Sequence, residues 1–212
     1  MSVAQIVDCY INRQHFGKVF TFEQFMNRTK LELGRKKAAT AAFSRKVKEG
    51  EIKRIAKSTY YRPKKSKFGY LPVDTNDLIR TISRDKKSAY VVAGAGALNA
   101  LGLSTQLPMV RSYIVSERVR VQFKALNIKL EYKETLSYFS AHLRVKDKTQ
   151  RQIAFLFWSA LAYIEKIHFQ EYKIKLLALF RKLLCAPVQH KFIKALPPSM
   201  IWAADELIGA QS

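Results

Sequence analysis

Apolar residues near the amino end recur at helical spacing. Val3, Ile6, Val7, Tyr10 and Ile11 stand three or four residues apart, which predicts an amphipathic helix over residues 2–13. The Phe16-Gly17 pair ends it. Thr21 is suited to cap a short helix that carries Phe22, Phe25 and Met26. Gly34 separates this helix from a longer one, Arg35 to Glu49. Gly50 closes that helix, where a left-handed residue is expected. Ile52, Ile55, Tyr60 and Tyr61 then sit among β-favouring residues, as in a hairpin, until Pro63.

Residues 64–77 carry Lys, Pro, Gly and Ser without an apolar period and read as connecting chain. The domains are therefore drawn at 1–67 and 78–212, with 68–77 as the linker between them. In the second domain Ala89–Val92 predicts a buried strand, Gly94–Gly102 a short helix of small residues, and Arg111–Ser116 another strand. Alternation at Val119, Val121 and Phe123, and again at Ile128, Leu130 and Tyr132, predicts two more strands joined near Asn127. Helical patterns follow at 149–167, 170–185 and 199–209, with Pro187 and Pro197-Pro198 as breaks. The predicted class is α+β: a winged helix-turn-helix, a mixed α/β region and a helical carboxyl-terminal part.

Charge sharpens the picture. Of 212 residues, 38 are Lys or Arg and 16 are Asp or Glu, a formal net charge of +22. Residues 28–67 alone hold 15 basic and 3 acidic side chains, so more than half of the excess sits on about a fifth of the chain. Such a concentration seeks a polyanion. The longest apolar stretch, Ile153–Ile164, falls well short of the ~20 residues that span a bilayer. No basic region followed by an apolar run opens the chain, and the two cysteines, Cys9 and Cys185, lie far apart. These features lead us to expect a soluble cytoplasmic protein with no membrane association.

On a wheel of ~100° per residue, Ala39, Ala42, Phe43 and Val47 fall on one side of the third helix. Lys37, Ala41, Ser44, Arg45 and Lys48 collect on the other, with Lys36 and Thr40 beside them. Small and basic groups on one face let a helix approach duplex DNA closely, since the major groove is about 12 Å wide. Lys36, Lys37, Thr40, Ala41, Ser44, Arg45 and Lys48 are the candidate groove residues. Lys53, Arg54, Lys57, Arg62, Lys64 and Lys65 are candidates for phosphate contacts, which give affinity and register. Lys46 lies toward the core side and is expected to reach out over its own aliphatic stem.

The run from Ala42 to Ile55, followed by Tyr60-Tyr61-Arg62-Pro63, resembles the winged-helix half of the AbiEi-type antitoxins and their DUF6088 relatives. The string Ala97-Leu98-Asn99-Ala100-Leu101-Gly102-Leu103-Ser104-Thr105-Gln106-Leu107-Pro108 is similar to the segment that links the two halves of that family's carboxyl-terminal part. The resemblance covers residues 20 to 135, and Lys46 stands where the family pattern has an apolar residue. It implies an autorepressor that binds inverted repeats of its own operon. It also implies a type IV antitoxin that counteracts a nucleotidyltransferase toxin without needing a stable complex.

Other chemistry is sparse. Gly94-Ala95-Gly96 follows a predicted strand, with Glu117 further on, but Asn99 occupies the third glycine position of a dinucleotide fingerprint. Small residues that let a helix pack closely account for it, and no cofactor is expected. His15, His142, His168 and His190 have no second ligand at metal spacing, and the carboxylates are scattered. The chain is expected to be neither a metalloprotein nor an enzyme. The basic amphipathic stretch 173–184 reads as core packing, with an anionic membrane surface, or a partner or second copy, as the alternatives. Whether the chain binds DNA singly or as a homodimer stays open. So does a plain winged-helix transcription factor whose carboxyl-terminal part senses a ligand or dimerises.

Overall fold

The computed structural model describes residues 1–119, 123 and 126–208. They form two compact units: one holds Met1–Lys87, the other Ser88–Val119 and residues 126–208. Helix α1 (Val3–Asn12) starts on a reciprocal cap. The Gln5 amide donates to Ser2 Oγ at 3.2 Å and the Ser2 amide to Gln5 Oε1 at 2.9 Å. Strand β1 (Val19–Thr21) leads into α2 (Phe22–Thr29), which Thr21 caps by accepting from the Gln24 amide. A 3₁₀ turn over Leu33–Arg35 precedes α3 (Lys36–Lys48), and Gly50 follows with φ +76°. Strands β2 (Lys53–Ala56) and β3 (Thr59–Tyr61) turn at Lys57-Ser58 and complete an antiparallel sheet in the order β1-β3-β2. Three helices with β1 inserted before the second, closed by a hairpin, is winged helix-turn-helix topology.

Aromatic rings hold this unit together. Phe43 of α3 is fully buried and meets Phe22, Phe25 and Tyr60 at centroid distances of 5.3, 5.1 and 5.1 Å. Tyr10 closes the group from α1, 5.2 Å from Phe25. Edge-to-face pairs of this kind add to what burial alone supplies.

The first unit does not stop at 67. A small hairpin, β4 (Lys65–Ser66) with β5 (Gly69–Tyr70), is followed by α4 (Thr75–Asp85), whose Asp74 cap accepts from the Asn76 amide. The sequence places 68–77 in a linker and 78 onward in the second domain, but α4 packs with β1 and the boundary of the compact unit falls after Lys87. Two carboxylates fasten it. Asp77 accepts from Lys18 Nζ at 2.8 Å, the Val19 amide at 3.1 Å and Arg80 Nη2 at 2.6 Å. Asp85 accepts from the Thr21 hydroxyl, and from the Gln24 side-chain amide at 2.7 Å.

Burial raises the pKa of Asp77, but the bonds from Lys18, Arg80 and Val19 outweigh it and hold the carboxyl below its usual range. Asp77→Ala should therefore cost about 2–3 kcal/mol at neutral pH. A lowered carboxyl pKa stabilises the fold above the unfolded value, near pH 4, and that stability is lost as pH falls through the folded value. Urea melts should show the gap between wild type and variant closing in acid. A gap independent of pH would rule out the ion pair as its source.

In the second unit β6 (Tyr90–Val92), α5 (Ala95–Ala100), β7 (Arg111–Val115) and β8 (Ile128–Tyr132) match expected elements closely. The pairing differs. Strand β8 lies parallel to β7, and β6 antiparallel to it, in the order β6-β7-β8. Of the strand expected through Val119, Val121 and Phe123, Val121 lies outside the described residues and the other two are in no strand. Gly96 has a packing reason: a Cβ there would stand 2.8 Å from Val92 Cγ2.

Helices α6 (Glu134–His142), α7 (Lys148–Leu183), α8 (Ala186–Ala195) and α9 (Ile201–Ile208) follow, with a 3₁₀ turn over Pro198–Met200 before the last. The two helices expected at 149–167 and 170–185 are both present within α7, and the break between them falls at Glu165, whose φ of 56° and ψ of 178° are not helical. The break expected at Pro187 falls just before it, between Leu183 and Ala186, and the proline stands in the first turn of α8, where its missing N–H costs nothing. Gly209, the last residue of the expected 199–209 helix, lies outside the described residues. Phe139, Phe157, Trp158, Phe180 and Phe192 centre the core, so the apolar face of 173–184 is indeed packed. Among the described residues no helix is long and apolar enough to cross a membrane.

Candidate nucleic-acid interface

Helix α3 buries Ala39, Ala42 and Phe43 against the rest of the first unit and half-covers Val47. That choice fixes what remains outside. Lys36, Lys37, Thr40, Ala41, Ser44, Arg45 and Lys48 are all exposed. No acidic residue lies within α3, and no ion pair among the described residues engages Lys36, Lys37, Arg45 or Lys48. The hydroxyls of Thr40 and Ser44 donate back to the carbonyls of Lys36 and Thr40, at 2.9 and 3.0 Å. Each hydroxyl oxygen, its proton so used, keeps lone pairs that can accept. The face thus combines unpaired cations, small groups that allow close approach, and two acceptors for base amino groups.

Lys46 is the exception on this helix. Its side chain is only 19% exposed and its ammonium reaches Asp8 at 3.0 Å, Glu49 at 3.2 Å and Glu51 at 2.8 Å. The bonds to Glu51 and Asp8 push its pKa upward. An apolar residue at this point would pack α3 on α1. Lysine makes the same junction through its stem and a clasp of three carboxylates, Asp8, Glu49 and Glu51.

The phosphate candidates divide. Lys53, Arg54 and Lys57 are exposed on β2 and its turn, and Lys64 and Lys65 lead into the second hairpin. Lys57 and Ser58 line one cleft with Leu33 and Lys36, at the start of α3. Lys64, Lys65 and Tyr70 line another with Lys46, Gly50 and Glu51, at its end. Basic side chains therefore stand at both ends of the helix. Arg54 keeps one guanidinium N–H on the carbonyl of Ala56 at 3.3 Å.

Arg62 is differently employed. Its guanidinium donates to the carbonyls of Asn12 and Gln14 at 3.1 and 2.9 Å and stacks 4.2 Å over the ring of Phe16. It caps the carboxyl end of α1, so it is a structural clamp before it is a phosphate ligand. Arg62→Ala should lower stability by about 1–3 kcal/mol, and the salt slope of DNA binding should stay as in wild type. A reduced slope with an unchanged melt would return Arg62 to the interface.

Three exposed residues escape the sequence prediction: Arg35 just before α3, and Lys67 and Phe68 at the tip of the second hairpin. An aromatic directly after Lys64, Lys65 and Lys67 was the available signal. Among the described residues no three His, Cys, Asp or Glu side chains come together as metal ligands would.

A model described as "Family of unknown function (DUF6088)" matches residues 5–183. The chain belongs to the DUF6088 family. No functionally curated protein matches this DUF6088 chain. Among solved structures it is similar to the crystal structure of the Rv2827c protein from Mycobacterium tuberculosis, at 14% identity and a TM-score of 0.52. That match covers 98% of this chain and 76% of the other. At such identity the likeness is one of fold.

Proposed function

We propose that this chain is a non-catalytic, DNA-binding autorepressor and antitoxin of the AbiEi-like type IV kind, working in the cytoplasm against a nucleotidyltransferase. The observation that carries the proposal is the solvent-facing side of α3 in a DUF6088 chain, cationic and free of ion pairs. A helix with that face enters a major groove. Lys37 and Arg45 offer the donors that guanine edges accept, and the small side chains of Ala41 and Ser44 avoid a steric barrier. Lys53, Arg54, Lys57, Lys64 and Lys65 hold phosphates on either side and fix register. The target is operator DNA carrying inverted repeats, which two copies of the chain occupy together. The second unit carries the antitoxin activity and needs no lasting complex with the toxin.

The test uses the full chain. It is co-expressed with the nucleotidyltransferase encoded beside it, while growth and a reporter from its own promoter are scored. Wild type should rescue growth and repress. Lys37→Glu with Arg45→Glu should lose repression and keep rescue. Repression without any neighbouring toxin to neutralise would leave a plain transcription factor, and loss of neither activity would remove the α3 face from the account.

A further inference from the structure

Phe68 is 100% exposed. A fully hydrated phenyl ring is unfavourable in water, and its surroundings are unlike those of a stray surface residue. It stands at the tip of the β4–β5 hairpin, where Lys65 pairs with Tyr70 and Ser66 with Gly69. The tip is tightly bonded. The Phe68 amide donates to Ser66 Oγ at 3.2 Å, Ser66 Oγ donates to the carbonyl of Gly69 at 2.8 Å, and the Leu71 amide donates to the carbonyl of Lys64 at 2.9 Å. Gly69 takes φ +112°, a conformation that favours glycine. A built turn therefore projects the ring on a hairpin that also carries Lys64, Lys65 and Lys67.

The hairpin is also anchored to the winged-helix body. The ammonium of Lys53, on β2, lies 4.4 Å from the centre of the Tyr70 ring. Tyr70, Lys64 and Lys65 share their cleft with Asp8 and Asn12 of α1, with Phe16, and with Gly50 and Glu51 just past the end of α3. The Lys57-Ser58 turn stands at the other end of that helix, beside Leu33 and Lys36. A helix in the major groove has a phosphate rail and then a minor groove on each side. Projections beside a helix so seated can reach the flanking backbone.

We infer that the 64–71 hairpin is a second wing, whose lysines grip the phosphate backbone while Phe68 wedges between base steps of the duplex from the minor-groove side. This rests on the duplex-binding role of α3 and adds a residue that reads stacking and deformability rather than base edges. Apolar side chains set among cations on a narrow projection are suited to that action, since they partly unstack a step and bend the duplex. Lysine alone would supply affinity without the wedge.

The experiment measures affinity for a labelled duplex from the chain's own promoter region, together with tryptophan emission. Phe68→Ala should weaken binding about 5- to 150-fold, the range of a lost base–aromatic stack, with the salt slope unchanged. Lys64→Glu with Lys65→Glu should lower the slope by about two units. Phe68→Trp should bind as wild type and lose emission on duplex addition, beyond any change from Trp158 and Trp202 in wild type. Equal duplex affinity of Phe68→Ala with unchanged emission from Phe68→Trp overturns the wedge, while α3 binding stands. A loss confined to single-stranded nucleic acid overturns it too. Failure of wild type to bind the duplex removes the reading beneath it, a different outcome from either.

Discussion

Lys37→Glu combined with Arg45→Glu should abolish band shifts of promoter DNA at physiological salt. Both side chains lie on the exposed face of α3, and neither has an ion pair to lose. Each substitution removes one cation and places a carboxylate against phosphate, a swing of four charges at the centre of the proposed contact. A good bidentate base contact discriminates by about 1–3 kcal/mol, so two lost contacts alone predict a loss of affinity of roughly 30- to 20,000-fold. The fold should be untouched, because exposed substitutions without partners stay within about 0.5 kcal/mol. Circular dichroism and a thermal melt would establish that. Band shifts that persist at physiological salt in a variant with a native melt would remove this face from the interface.

Phe43→Ala should act through the scaffold instead. The ring is fully buried and contacts rings from β1, α2 and β3, so the packing of the whole first unit converges on it. Truncation of a buried phenylalanine typically costs about 3–5 kcal/mol, a large share of the ~5–15 kcal/mol that holds a domain. Urea or thermal melts should show the first unit unfolding much earlier, and duplex binding should fall with the folded fraction. Phe43→Leu, which keeps most of the volume, should recover part of both. A small change for Phe43→Ala would mean that α3 is not seated by its aromatic face, and the exposed side of the helix would lose its fixed orientation.

What was legible in the sequence was local. The periods of Val3–Ile11 and Ala39–Val47, the cap at Thr21 and the left-handed Gly50 each follow from residues within one or two turns. Together they fix α1 to α3, and through them which side of α3 faces water. The failures are long-range. Helix α4 shows a short apolar period, but Lys18, Val19, Thr21 and Gln24 fasten it to the first unit from about sixty residues away. Nothing in the local pattern reports such bonds. Arg62 looked like any other cation of the basic run until α1 supplied its carbonyl acceptors, fifty residues away in sequence.

Pairing in the second unit was equally hidden. Alternation in 128–132 identifies a strand but not its neighbour, and a parallel partner requires a crossover that no turn residue announces. The candidate face is the opposite case. A stretch of thirteen residues determines both its buried and exposed sides, so the exposed face of α3 could be written from sequence. The hairpin beyond Pro63 could not, since two-residue strands carry too few positions to alternate.

Fluorescence anisotropy of a labelled duplex from the chain's own promoter, titrated with wild-type protein from 50 to 200 mM salt, goes to the centre of the matter. If α3 and its flanking lysines neutralise six to ten phosphates, affinity should fall roughly 10³–10⁵-fold across that range, with a linear log–log slope. Absence of binding at 50 mM salt, or an affinity that does not change with salt, would contradict a cationic helix face seated on DNA.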